Sequence, residues 1–209
     1  DAAGQKIDER DEWPRGSIDA AKRALRRLDG EVVGEEYLDI GARPEAIERL
    51  LAQLARSGAD VFVPYFAGND QIQLLQRFAA LGLKQHMAVV MGHFDEVMAG
   101  LLAPDTRAGL YSSNTYFMSL DSEASRRYLQ RLARQPGVEG IWPQGNGVLT
   151  NFGEGAYLCV HAFANAAQAA GSTDAEALVE ALERVRVQGP QGLVQMDPAT
   201  HHASVNTYL

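Results

Sequence analysis

Tyr65, Asn69, His93 and Tyr116 stand where short apolar runs of the chain end, with Phe66, Asp70, Asn114, Thr115 and Phe117 close by. In an open parallel sheet, ligands lie outside the carboxyl ends of the strands. Residues 65–70, 91–94 and 114–117 occupy those positions if the runs are strands of one such sheet. Phenols and amides there offer donors and acceptors, and the rings offer an apolar wall. That mixture suits recognition of a small polar molecule with an apolar tail. Phe66 and Phe117 read better as core residues, whereas Tyr65 and Tyr116 carry hydroxyls that want polar partners.

Bond-making chemistry finds less support. Tyr116, His93 and Asp70 are the set an enzyme on such a sheet would use. The chain has no G-x-S-x-G elbow and no nucleophile beside a matched base. Cys159 lies within an apolar helical stretch, where a small buried hydrophobe is expected rather than a reactive thiol. His201 and His202 are adjacent, so on a strand they point to opposite faces and do not share an ion; no second ligand pair stands at a useful spacing. Gly68-Asn69-Asp70 reads as a strand-to-helix turn with an N-cap, and Asp95 and Glu96 as acids favouring the start of a helix. Gly145-Asn146-Gly147 reads as a loop, and no P-loop is present. No catalytic residue, metal or cofactor is therefore expected.

The elements that position these residues follow from periodicity. Ile18, Ala21, Leu25 and Leu28 predict a helix over 17–28 capped by Ser17 and ended by Asp29-Gly30. Val32-Val33 and Tyr37-Leu38 predict a strand. Pro44 opens a helix with Ile47, Leu50, Leu51 and Leu54 on one face. Residues 60–66 (DVFVPYF) predict a strand buried on both faces. Asn69 is the expected cap of a helix carrying Ile72, Leu75, Phe78 and Ala79. Strands are expected at 87–91 and 108–112, with a short helix at 94–102 between them. Helices alternating with short strands imply right-handed crossovers, a parallel sheet and a doubly wound α/β architecture. The runs at 61–65 and 88–91 are expected to be neighbouring parallel strands with helices 47–54 and 72–79 packed on them. Beyond Asn114 the alternation stops. Helices are expected at 122–134, 153–170 and 173–185, with no sheet obviously assigned to them, followed by strand-like runs at 193–197 and 203–208.

Bulk properties narrow the classes further. The 209 residues are 46% hydrophobic and 22% charged, the balance of an ordinary folded protein. A net charge of -8 argues against a nucleic-acid surface. No apolar run reaches the length of about 18 residues that a membrane span requires.

Several motifs, taken in order, resemble the type I periplasmic-binding-protein fold. They are Trp13-Pro14-Arg15-Gly16-Ser17, Gly58-Ala59-Asp60-Val61, Asn114-Thr115-Tyr116-Phe117, Glu154-Gly155-Ala156-Tyr157, Ala167-Gln168-Ala169-Ala170-Gly171 and Gly189-Pro190-Gln191-Gly192. The chain is most similar to the branch of branched-chain amino acid, urea and short-chain amide receptors, including the amide sensor of amidase operons. The resemblance implies one α/β lobe of a Venus flytrap at 1–118, completed by 189–209. It implies that the helices of 119–188 belong to the other, incomplete lobe, whose sheet lies upstream in relatives. It further implies a non-catalytic receptor or sensor that closes on an amide, urea-like compound or amino acid. Trp13, Tyr65, Asn69, His93 and Tyr116 would form its ligand contacts, with a transporter or regulatory protein as partner. The receptor would be periplasmic if exported and cytoplasmic if an amidase-type regulator. An interaction module derived from a receptor, without ligand binding, is the other alternative to an enzyme. Because the helix at 153–170 carries an apolar face without its sheet, the chain alone is expected to associate or to be marginally stable.

Overall fold

The structure, a computed structural model, describes residues 12–66 and 68–209. The chain separates into two compact units, one containing residues up to His93 together with Leu102–Ser112, the other Phe94–Leu101 and Ser113–Leu209.

The first unit is built on a parallel sheet of three strands, β1 (Val61–Phe62), β2 (Ala88–Met91) and β3 (Leu110–Ser112), in that order. Val61 pairs with Ala88, and Val89 with Leu110, so the expected parallel neighbours are present in register. Helix α1 spans Glu12–Arg27, α2 Pro44–Leu54 and α3 Gly68–Ala80. Pro44 begins α2, where its fixed φ and missing N–H cost nothing. Ile47, Leu50 and Leu51 of α2 and Leu74, Leu75 and Phe78 of α3 are buried, as are Val89 and Met91 of β2. Each such side chain contributes about 1.5–3 kcal/mol by leaving water. Phe62 stacks on Phe78 with ring centroids 5.6 Å apart. A single 3-10 turn at Leu83–Gln85 carries Lys84, whose ammonium donates to the carbonyls of Asp105 (2.7 Å), Thr106 (2.9 Å) and Ala108 (2.5 Å).

Several expected details change. Strand β1 is short and lies at the sheet edge, with Val61 and Val63 exposed rather than buried on both faces. Pro64 cannot donate to a ladder, so a bond that would follow Phe62 on that side is missing. Residues 32–38 form no strand, and Val32, Val33 and Tyr37 are exposed. No strand among the described residues lies alongside to complete their hydrogen bonds. Ser17 lies inside α1 rather than capping it, and Asn69 lies in the first turn of α3. Lys22 of α1 instead ties the helix to the following loop through Glu35, at 2.6 Å.

The second unit opens with α4 (Glu96–Gly100), capped by Asp95, whose carboxylate accepts from the Met98 N–H at 3.0 Å. The other short helix, α5 (Pro104–Arg107), belongs to the first unit. Three longer helices follow: α6 (Glu123–Leu132), α7 (Asn151–Ala170) and α8 (Ala175–Leu182). Ser122, Thr150 and Asp174 cap them with side-chain oxygens, each worth about 1 kcal/mol. Gly171 ends α7 in the left-handed conformation. The core gathers Tyr116, Met118 and Leu149 against Leu129, Ile141 and Trp142.

Beyond α8 the chain forms an antiparallel sheet of β4 (Arg186–Gly189), β5 (Gly192–Met196) and β6 (Ala203–Ser204). The alternation in Val185-Arg186-Val187-Gln188 marks β4, and Gly192, at φ 113°, makes the turn into β5. Gly189 lies against α7 so closely that a Cβ there would sit 3.0 Å from Glu154 Oε1. This hairpin, together with a bridge from Asn114 to Tyr208, groups residues 189–209 with 113–188 rather than with the parallel sheet.

Candidate functional site

The carboxyl end of the parallel sheet in the first unit brings three of the expected residues near one edge. Tyr65 follows β1 and is half-buried, and burial pushes its phenol above the usual range. Asn69 is exposed in the first turn of α3. His93 follows β2 and is buried. Trp13 falls in α1, but its side chain lies outside the described residues.

Two residues that sequence reasoning passed over hold this edge together. Gln71 is fully buried and donates from Nε2 to the carbonyl of His93 at 2.6 Å and to that of Phe66 at 3.3 Å. One amide thus spans the ends of β1 and β2. Its signal was visible: position 71 falls on the same helical stripe as Leu74, Leu75 and Phe78, where a polar side chain must find partners. The second is Gly92, whose N–H donates to the Pro64 carbonyl at 3.0 Å, extending the pairing past Phe62. Asp70, a candidate acid for an enzyme, accepts from the N–H groups of Gly41 (2.7 Å) and Ala42 (3.3 Å). That contact fixes the approach to α2.

In the second unit, Tyr116 is wholly buried and its hydroxyl shares a 2.9 Å hydrogen bond with Ser125 Oγ. Desolvation raises its phenol pKa, partly offset by that bond. Asn114 donates to the Phe94 carbonyl at 3.0 Å. Glu96 is buried, and Oε1 accepts from the Met118 N–H at 2.6 Å while Oε2 has no partner among the described residues. Burial raises its carboxyl, the Met118 bond opposes this, and the neighbouring Asp95 adds to it. Glu154 is fully buried and accepts from Gln191 through Nε2 (2.8 Å) and the backbone N–H (3.2 Å). Desolvation raises this carboxyl too, against the pull of both bonds. A cavity of about 540 Å³ lies between the start of α6 and the β4–β5 turn, lined by Ser122, Arg127 and Pro190 among others.

Two expectations about reactive groups are revised or bounded. Cys159 is exposed rather than buried; the buried residues of α7 are Glu154, Leu158 and Ala166. His201 contacts Glu183 Oε1 at 3.2 Å on the surface. Among the described residues no group of three or more His, Cys, Asp or Glu side chains is placed to hold a metal ion, and no helix is long and apolar enough to cross a membrane.

A helix-flanked parallel sheet in one unit, and in the other a helical core closed by an antiparallel hairpin, define a mixed α/β protein of the type I binding-protein class. The chain belongs to the periplasmic binding protein family, whose model matches residues 7–209. It is similar to an amino acid ABC transporter substrate-binding protein from Pseudomonas fluorescens Pf-5. That likeness has a TM-score of 0.79 and 19% identity, covering 93% of this chain and 49% of that one. A solute-binding protein of an ABC transporter from R. palustris, in complex with 4-hydroxybenzoate, gives 0.76 at 21% identity, with 91% and 51% covered. The leucine-, isoleucine-, valine-, threonine- and alanine-binding protein from Brucella ovis, in its closed conformation, gives 0.68 at 18%, with 89% and 46% covered. The chain therefore spans about half the length of the solved structures it matches.

Proposed function

We propose that this chain is part of a non-catalytic receptor for a small carboxylic acid, acting with an ABC transporter. The observation that carries the reading is the edge formed by Tyr65, Asn69 and His93 at the carboxyl end of the parallel sheet. An aromatic face, an exposed amide and an imidazole there match a ligand with an apolar body and a polar head. The ligand class rests on the similar proteins, which bind amino acids or 4-hydroxybenzoate; both carry a carboxylate beside an apolar group. Trp13 extends the proposed contact set. Tyr116, which the resemblance made a ligand contact, is wholly buried against Ser125 in the second unit's core and is left out of the proposed set.

Thermal unfolding with L-leucine, 4-hydroxybenzoate, acetamide and urea tests the reading, because a ligand that binds only the folded form raises stability by mass action. A rise with L-leucine or 4-hydroxybenzoate that Tyr65→Ala abolishes supports it. A rise with acetamide or urea alone would move the ligand class to the small amides that the sequence resemblance implied. No rise with any of the four, at millimolar concentration, refutes the receptor reading.

A further inference from the structure

We infer that Gly92 is a positioning residue that sets where the Tyr65 ring lies, by being the one residue type whose backbone the ring can lie upon. This rests on the receptor reading for its functional meaning, though not for its geometry. A Cβ built on Gly92 would fall 2.5 Å from Tyr65 Cε1 and 2.6 Å from Cγ. Carbon atoms in contact stand about 3.5–4 Å apart, so no side chain at 92 coexists with the ring as placed. The involvement of Cγ decides what must move. Cγ lies on the χ2 axis, so turning the ring about χ2 does not relieve the clash, and χ1 or the backbone has to change.

The backbone on either side resists that change. Pro64, just before Tyr65, is buried and accepts from the Gly92 N–H at 3.0 Å. Next to them, the carbonyls of Phe66 and His93 are both held by Gln71. With the chain fixed on both sides, the strain of a methyl group at 92 falls on the Tyr65 side chain. Gly92 is not demanded by backbone conformation, since the glycines of this chain with left-handed φ do not include it. Its role is the close approach of the ring.

The test uses the 209-residue chain as wild type, Gly92→Ala, Tyr65→Ala and the double variant, with tyrosines carbon-13 labelled at Cζ and Tyr65→Phe assigning the resonance. Gly92→Ala is expected to shift the Tyr65 signal and to bring its titration down toward that of an exposed phenol. It should also lower the melting temperature, which the double variant restores because the clash is gone. A Tyr65 signal and titration unchanged in Gly92→Ala overturn the inference, as does a double variant that melts as low as Gly92→Ala. Binding of 4-hydroxybenzoate and L-leucine is then measured on the same four proteins. Losses of tenfold or more are expected in each single variant, with no further loss in the double. If the ring is displaced but Tyr65→Ala binds as wild type, the receptor reading of Tyr65 fails while the positioning stands. If Tyr65→Ala loses binding and Gly92→Ala does not, the functional claim for Gly92 fails while the receptor reading stands.

Discussion

Glu154 offers the sharpest test of the second unit, because it is a fully buried carboxyl whose hydrogen-bond donors both come from Gln191. Glu154→Ala leaves the Gln191 backbone N–H and side-chain amide without their acceptor in a buried setting. At about 1–3 kcal/mol for each stranded donor, the expected loss is about 2–6 kcal/mol. That is a large share of the about 5–15 kcal/mol that holds a domain together. Glu154→Gln behaves differently. Its Oε1 still accepts from the backbone N–H, and its amide group can serve Gln191 Oε1, which has no partner among the described residues, once the Gln191 amide turns over. The pH dependence separates the two effects. Burial raises the folded-state pKa of Glu154 above 4.5, so the folded form holds its proton more tightly than the unfolded chain. Its contribution is complete below pH 4.5 and is lost as pH rises through the folded-state value. Glu96 has the same sign. Urea titrations from pH 4 to 8 should therefore show a downward slope of stability with pH that Glu154→Gln flattens in part, and Glu154→Gln with Glu96→Gln flattens further. An unchanged slope in the double variant, or a loss below about 0.5 kcal/mol in Glu154→Ala, would refute the reasoning.

Three further outcomes are expected. Leu74→Ala, at a fully buried position of α3, should cost the first unit about 2–5 kcal/mol in urea unfolding, the range for a cavity left in a packed core. Gln71→Leu should cost about 1–3 kcal/mol by removing the donor that the carbonyls of Phe66 and His93 share, and amide exchange at Gly92 should accelerate with it. Val160→Glu and Phe163→Glu change side chains of α7 that are more than half exposed. They should shift stability by no more than about 0.5 kcal/mol while lowering any self-association seen by sedimentation.

The parallel sheet was readable because β2 is a pure apolar run with turn residues on both sides, and because α2 and α3 carry their core residues at helical spacing. The same reading overextended β1. Residues 60–66 look near-continuously apolar, but apolarity does not say whether a strand is central or at an edge, and Pro64 limits pairing whatever its neighbours are. Val32-Val33 has strand composition, yet a strand exists only with a partner, and partners are set by tertiary structure. On α7, apolar and small residues extend beyond the one apolar face expected of it, so burial was not legible residue by residue. Cys159 therefore read as buried, and it is exposed. Gln71 was legible as a polar residue on an apolar stripe. Gly92 was not, because its reason is a ring 27 positions earlier in the chain.

The bridge between Asn114 and Tyr208 also sets an order of events during synthesis. Asn114 donates its N–H to the Tyr208 carbonyl at 3.1 Å and accepts the Tyr208 N–H at 2.9 Å, while the Tyr208 hydroxyl donates to the Gln191 carbonyl at 2.8 Å. A single late residue thus closes both the first and the last segments of its unit. The parallel sheet needs nothing beyond Ser112 for its own strand pairs, so it can form while the rest of the chain is still being made. The other unit has to hold Asn114 and the hairpin turn unsealed until Tyr208 emerges, the slow kind of closure that distant contacts impose. Over that interval its carbonyls and apolar side chains face whatever else is present, which makes this unit, rather than the sheet, the one exposed to misassembly.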